Sequence, residues 1–318
     1  MTRMNLGNTA TARGAAGEAG PPLNESATTA NQPAVTRVVQ VELRTANLER
    51  ALAFYQGVLG FKPIKSPDST VALSASERAP AILVLREDRA APARPARATG
   101  LYHLAIRYPT RRDLAGALQR LARNRYGVQG AADHIVSEAI YLADPDQNGV
   151  ELYADRPRDQ WAWHNGQVQM STEPLDLEDL MATLEGERDL LDPPSQTDLG
   201  HIHLHVADLA QAERFYHDFL GLDVTQRSYP GALFFAAGGY HHHIAVNTWA
   251  GKTSPPENSV GLVSYRLEVP SKEMLLALQH RAAVAAYEVQ EGPAGGASLL
   301  RFRDPNGNWL EITPAQAG

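Results

Sequence analysis

The stretch LGHIHLHVADLAQAERFYHDFLGL (Leu199–Leu222) decides the fold. His201, His203 and His205 alternate, so a strand puts all three imidazoles on one face. Asp208 then gives a helix start signal, apolar residues follow at helical spacing, and Gly221 supplies a left-handed stop. An ungapped partner occurs earlier, VVQVELRTANLERALAFYQGVLGF (Val38–Phe61). Leu43 falls on Leu204, Phe54–Tyr55 on Phe215–Tyr216, and Gly60 on Gly221. The chain therefore repeats a strand–helix unit.

Two further stretches recur at the same offset. LYHLAIRYPTRRDLAGALQ, from Leu101, matches LVSYRLEVPSKEMLLALQ, from Leu262, each reading as strand, Pro turn and helix. LADPDQNGVELY, from Leu142, matches RFRDPNGNWLEIT, from Arg301. Both read as an Asp-Pro turn feeding a strand that carries a carboxylate, Glu151 or Glu311. Four strand–helix–strands units follow, starting near Val38, Leu101, Gly200 and Gly261. The organisation expected is a disordered tail over 1–35, units 1 and 2 over 36–156, a linker over 157–198, and units 3 and 4 over 199–318. The tail is rich in Ala, Gly, Thr and Asn and lacks an aliphatic core. The linker carries one predicted acidic helix, about Leu175 to Glu185.

Composition removes whole classes of chemistry. The 318 residues include no cysteine, which excludes disulfides, thiolate metal sites and cysteine nucleophiles. A net charge of −7 without a basic stripe argues against a nucleic-acid surface. No apolar run approaches the roughly 20 residues of a membrane span, and no apolar segment follows the early arginine as in a secretory signal. A cytoplasmic protein is expected. No glycine-rich phosphate loop or nucleophile elbow occurs. Any metal must then be held by His, Asp, Glu or other nitrogen and oxygen donors.

Four βαβββ units, with FYxxxLG closing the first helix and DPxGNxxE entering the last strand, resemble the vicinal oxygen chelate superfamily. Glyoxalase I, extradiol ring-cleaving dioxygenases and bleomycin-resistance proteins belong to it. The resemblance implies an α+β fold in which pairs of modules curl into two half-open β-bowls, with metal ligands on first and last strands. The first-strand positions here are Gln40, His103, His201 and Ser264; last-strand candidates are Glu151, the HHH run at 241–243, and Glu311. The second unit resembles the catalytic unit of extradiol dioxygenases, which implies roles for His103, His134, Ser137, Tyr141 and Glu151. The third resembles its partner unit, with His201 as ligand and His243 as the inward member of the triplet.

Two pairings of the units are open. If neighbours pair, the bowls offer Gln40, His103 and Glu151, and His201, His243 and Glu311. If units 2 and 3 pair, one bowl gathers His103, His201 and Glu151, with His134, Tyr141 and His243 around them, and Gln40, Ser264 and Glu311 remain as a decayed set. The second arrangement collects two histidines and one carboxylate, the facial set that leaves positions open on a non-haem iron. It is the one favoured here. The function it implies is a catechol 2,3-dioxygenase-like extradiol enzyme using Fe(II), with Mn(II), Zn(II) or Ni(II) also compatible. Its substrates would be O2 and a small aromatic catechol, and its outer sheet faces could form a homodimer. A glyoxalase-like lyase or isomerase, or a bleomycin-resistance-like binding protein, are the alternatives.

Overall fold

Each unit opens with the strand and capped helix that its sequence encodes. In the computed structural model the helix start signals are Asn47, Thr110, Asp208 and Ser271, and each side chain accepts a backbone N–H three residues on. This satisfies a donor that the first turn would leave bare. In units 1 and 3 the helix is short, Leu48–Leu52 or Leu209–Glu213, and continues as a π-helical turn, Ala53–Val58 or Arg214–Phe219. Gly60 and Gly221 end these turns at φ 85° and 83°.

The structure describes residues 37–64, 70–77, 80–184, 192–291 and 299–315. The predicted tail over 1–35 lies outside them, as does Glu185 at the end of the predicted linker helix, which is found at Leu177–Ala182. Among the described residues no helix is long and apolar enough to cross a membrane.

Two sheets account for the four units. In the first, the opening strand of unit 1 (Arg37–Thr45) pairs antiparallel with that of unit 4 (Gly261–Val269). In the second, the opening strand of unit 2 (Gly100–Tyr108) pairs antiparallel with that of unit 3 (Asp198–His205). Every opening strand is flanked on its other side by the last strand of its own unit, running parallel: Leu83–Glu87, Gly149–Asp155, Ile244–Asn247 and Trp309–Pro314. The linker returns the chain to this second sheet, where Glu173–Pro174 forms the edge beside Gly130–Asp133. Units 2 and 3 therefore share one bowl and units 1 and 4 the other.

The repeated motifs fasten the units together. Tyr55 donates to Asp144 at 3.0 Å, and Tyr216 to Asp304 at 2.8 Å. Each of these carboxylates also accepts backbone N–H groups from its own turn and the side-chain amide of Asn148 or Asn308. The FY and DPxxN signatures are thus the two halves of one buried hydrogen-bond cluster. It fixes the turn from which Glu151 or Glu311 emerges three residues later.

Candidate metal centre

Antiparallel and parallel pairing place one rank of residues across three adjacent strands. Glu151 stands opposite Ala105, and Ala105 opposite His201. One step along, His103 stands opposite His203. Paired residues share a face, so these side chains converge above Ala105, whose single methyl leaves room. Glu151 Oε2 lies 2.9 Å from His103 Nε2 and 3.1 Å from His201 Nε2. All three residues are buried, and one ligand atom from each lies within 4.8 Å of the others.

The donor set fits a divalent ion. Bonds of about 2.1 Å meeting at right angles separate neighbouring ligand atoms by about 3.0 Å, matching both contacts. The His103–Glu151 contact has the distance but not the angle of a hydrogen bond, leaving a buried ring nitrogen unsatisfied. Such an orphan costs about 1–3 kcal/mol unless something binds it. The His201 imidazole is kept neutral, hence able to ligate. Burial lowers the pKa of His201 to about 4, only partly opposed by Glu151. Burial would raise Glu151, but His201 and His103 overrule it and hold the carboxyl well below its usual range.

Above this floor is a cavity of about 240 Å³. His134, Tyr141, Val136, Met170, Phe234 and His242 form its walls, and the half-exposed Trp249 and Tyr102 stand among its lining residues. His134 Nδ1 is 2.7 Å from the Ser171 carbonyl, which only accepts, so this nitrogen carries the proton. Tyr141 therefore donates to His134 Nε2, at 2.6 Å. Burial, reinforced by Glu151, raises the Tyr141 phenol well above its ordinary value and keeps it neutral. Ser137 lines the same cavity.

The histidine triplet departs from expectation. His243 does not line the cavity: its Nδ1 accepts the Ala237 N–H at 3.2 Å, and its ring packs on Tyr240. His242 lines it instead, 4.1 Å from the His201 ring centre. Alternation misassigned the triplet because the strand begins only at Ile244, while 241–243 follow the left-handed Gly238 and Gly239 in a turn. The alternative set of His201, His243 and Glu311 is not assembled, because Glu311 lies in the other sheet and pairs with Arg266. Gln40 and Ser264 lie in that sheet too.

Two hydrogen-bond chains run outward from the cavity, and neither was legible in the sequence. Asp155 accepts from His241 Nε2 at 2.9 Å; with one proton on the His241 ring, its Nδ1 accepts and His242 Nδ1, 2.8 Å away, donates. His242 Nε2 is left with a lone pair. Asn247 bridges the other two histidines of the opening stretch, donating to His203 Nε2 at 2.9 Å and accepting from His205 Nδ1 at 2.6 Å. The three alternating imidazoles thus become one candidate ligand, one cavity wall and one rim anchor.

Residues 37–152 and 198–312 match the family described as the Glyoxalase/Bleomycin resistance protein/Dioxygenase superfamily. The chain belongs to this superfamily. It is 43% identical over 276 residues to a catechol-2,3-dioxygenase of Bacillus subtilis, a match covering 85% of this chain and 94% of that protein. Among solved structures, a Bacillus subtilis protein provisionally described as a dioxygenase superposes with a TM-score of 0.64 at 12% identity, over 90% of this chain and 87% of that one. Glyoxalase I from Zea mays gives 0.55 at 16% identity, over 87% and 92%. At such identities the structural likeness speaks for the superfamily fold alone.

Two expected results arise from the centre itself. A Cβ at Gly200 would stand 1.5 Å from the Tyr153 hydroxyl. Tyr153 also touches the His201 ring and bonds Tyr240 at 2.7 Å. Gly200→Ala should therefore cost about 1–3 kcal/mol of stability and weaken metal binding, read as a lower Tm and a higher metal Kd. A wild-type metal Kd would show that Tyr153 does not support His201.

The second result concerns pH. Burial holds His201, His203, His242 and His243 below their ordinary value, His201 to about 4 and His243 to about 3. The unfolded chain takes up these protons near pH 6.5 and the folded one does not, so stability is lost as pH falls from about 6.5 toward the folded values. Asp144 and Asp304, raised by burial, act in the opposite sense but are outnumbered. The Tm of metal-free protein should drop between about pH 7.5 and about pH 5; a flat or rising Tm would contradict the neutral assignment.

Proposed function

We propose that this protein is an extradiol ring-cleaving dioxygenase acting on a small catechol with O2, its Fe(II) held by His103, His201 and Glu151. The observation that carries this reading is the convergence of two buried imidazoles and one carboxylate at the floor of an aromatic-lined cavity. The catechol-2,3-dioxygenase relative, at 43% identity, supports it. An ion bound there supplies Lewis acidity to two vicinal oxygens and a redox-active place for O2, which Zn(II) lacks. A set of only three ligands leaves room for both. A four-ligand glyoxalase-like set would draw on Gln40 or Glu311, which the fold puts in the other sheet.

The remaining residues divide the work of holding the ring and moving its proton. At about 240 Å³ the cavity is smaller than the roughly 300–1,000 Å³ of drug-sized sites, which suits a single ring. Val136, Met170 and Phe234 offer it apolar walls and exclude water. His242 Nε2, with its lone pair fixed by the His241–Asp155 chain, accepts a proton from a substrate hydroxyl and can return it. Tyr141, donating to His134, presents its oxygen lone pairs to the same space and orients a second hydroxyl.

The test is direct. Protein loaded with Fe(II) without oxygen, then given catechol and air, should turn yellow with ring-cleavage product and consume equimolar O2. Iron-loaded protein that consumes no O2 with any catechol offered would overturn the reading.

A further inference from the structure

The bowl of units 1 and 4 repeats the metal bowl rank for rank, with the chemistry inverted. Where Glu151, Ala105 and His201 form one rank, the other sheet has Glu311, Arg266 and Gln40. Where His103 faces His203, it has Ser264 facing Glu42. Arg301 pairs with Glu311 as Tyr141 pairs with Glu151, and Arg303 with Trp309 as Ala143 with Gly149. Arg44 and Arg86 pair with each other as His205 and Asn247 do. Five positions of the metal bowl thus carry arginine in the second, and a sixth arginine, Arg94, enters from the preceding loop. Loss of ligands alone would not give this pattern.

These arginines line a cavity of about 670 Å³, far larger than that of the metal bowl. The carboxylates of its lining are Glu42, Glu257 and Glu311, three against six guanidinium groups. Arg86 pairs with Glu42, Arg303 with Glu257, and Arg266 with Glu311 at 2.7 Å. Arg301 shares Glu311 at 3.3 Å. Arg44 reaches Asp88 only at 3.8 Å and donates to the carbonyls of Glu257 and Ser259. Arg94 donates to the Leu101 carbonyl and has no ion-paired carboxylate among the described residues. Burial lowers its pKa, the mark of a cation short of compensation. Trp309 lies under Arg301 and Arg303, whose guanidinium carbons sit 4.6 and 4.3 Å from its ring centre. The planar forks are thereby held ready for an oxyanion.

We infer that this second bowl is a binding site for a small multivalent oxyanion, a phosphate or a polycarboxylate, held by Arg94, Arg301 and Arg44. Its recognition is charge-assisted and bidentate, and needs neither metal nor oxygen.

Calorimetry at constant ionic strength on the metal-loaded full chain, with inorganic phosphate in one arm and maleate in the other, tests this. At least one probe should give saturable one-to-one binding, and the arm that does so names the ligand type. Arg94→Gln should weaken it about tenfold or more. Arg301→Gln should do the same and leaves Glu311 paired with Arg266, so a fold lost in the first variant does not spoil the test. Arg37→Gln removes an exposed arginine paired with Glu268 outside the cavity and should bind as wild type does. Absence of saturable heat from both probes, or wild-type affinity in both Arg94→Gln and Arg301→Gln, would overturn the inference.

Discussion

Glu151→Gln is expected to leave the protein folded but unable to retain iron, with ring-cleavage activity lost. The amide keeps the shape of the carboxylate and removes its negative charge, and Glu151 is the one carboxylate among the three converging side chains. A divalent ion would then sit among neutral donors in a buried site, an arrangement that costs heavily. The loss should exceed the roughly 10–100-fold that removal of a supporting partner costs a metal site. His103→Ala and His201→Ala should behave alike, because each supplies one corner of the same triangle. Metal content after dialysis, read beside the Tm, separates this from unfolding. Full iron retention by Glu151→Gln would remove the carboxylate from the centre.

Truncation of His242 should separate chemistry from binding. His242→Ala is expected to keep the metal and lower kcat by about 10²–10⁴, the usual worth of a positioned proton carrier. KM should change less, since the apolar walls and Tyr141 remain. The pH profile should lose one limb, a change that mere loosening of the wall would not produce. The same truncation at His243 acts on the fold, since that ring caps the Ala237 N–H and packs on Tyr240. Activity per bound iron should then stay within a few-fold of wild type. Equal kcat losses at 242 and 243 would contradict the assignment.

The contrast between these neighbours shows where sequence is legible. Strand alternation and repeat register bring out His103, His201 and Glu151 because all three lie inside regular strands, where one residue's face fixes the next. The arginine-bearing ranks were not legible: only the strand register of the second sheet brings Arg266 beside Glu311. The HHH triplet defeated the same logic, since a turn after two left-handed glycines has no period of two. His134 and Tyr141 were found through resemblance, and their mutual hydrogen bond emerges only when the sheet edge folds over the linker at Ser171. Trp249 lines the cavity, whereas Tyr240 and Tyr265 are buried in the core. In the sequence, the pairing of units 2 and 3 rests on ligand chemistry and on a linker long enough to permit it. The strand ladder from Asp198 to Arg107 through His205 to Gly100 is what establishes it.

An anomalous-difference map of crystals of the iron-loaded protein tests the central claim most directly. The account predicts one peak per chain, about 2.1 Å from His103 Nε2, His201 Nε2 and a Glu151 oxygen, and none beside Arg266 and Glu311. A peak in the bowl of units 1 and 4, or iron that touches only one of the two histidines, would contradict it.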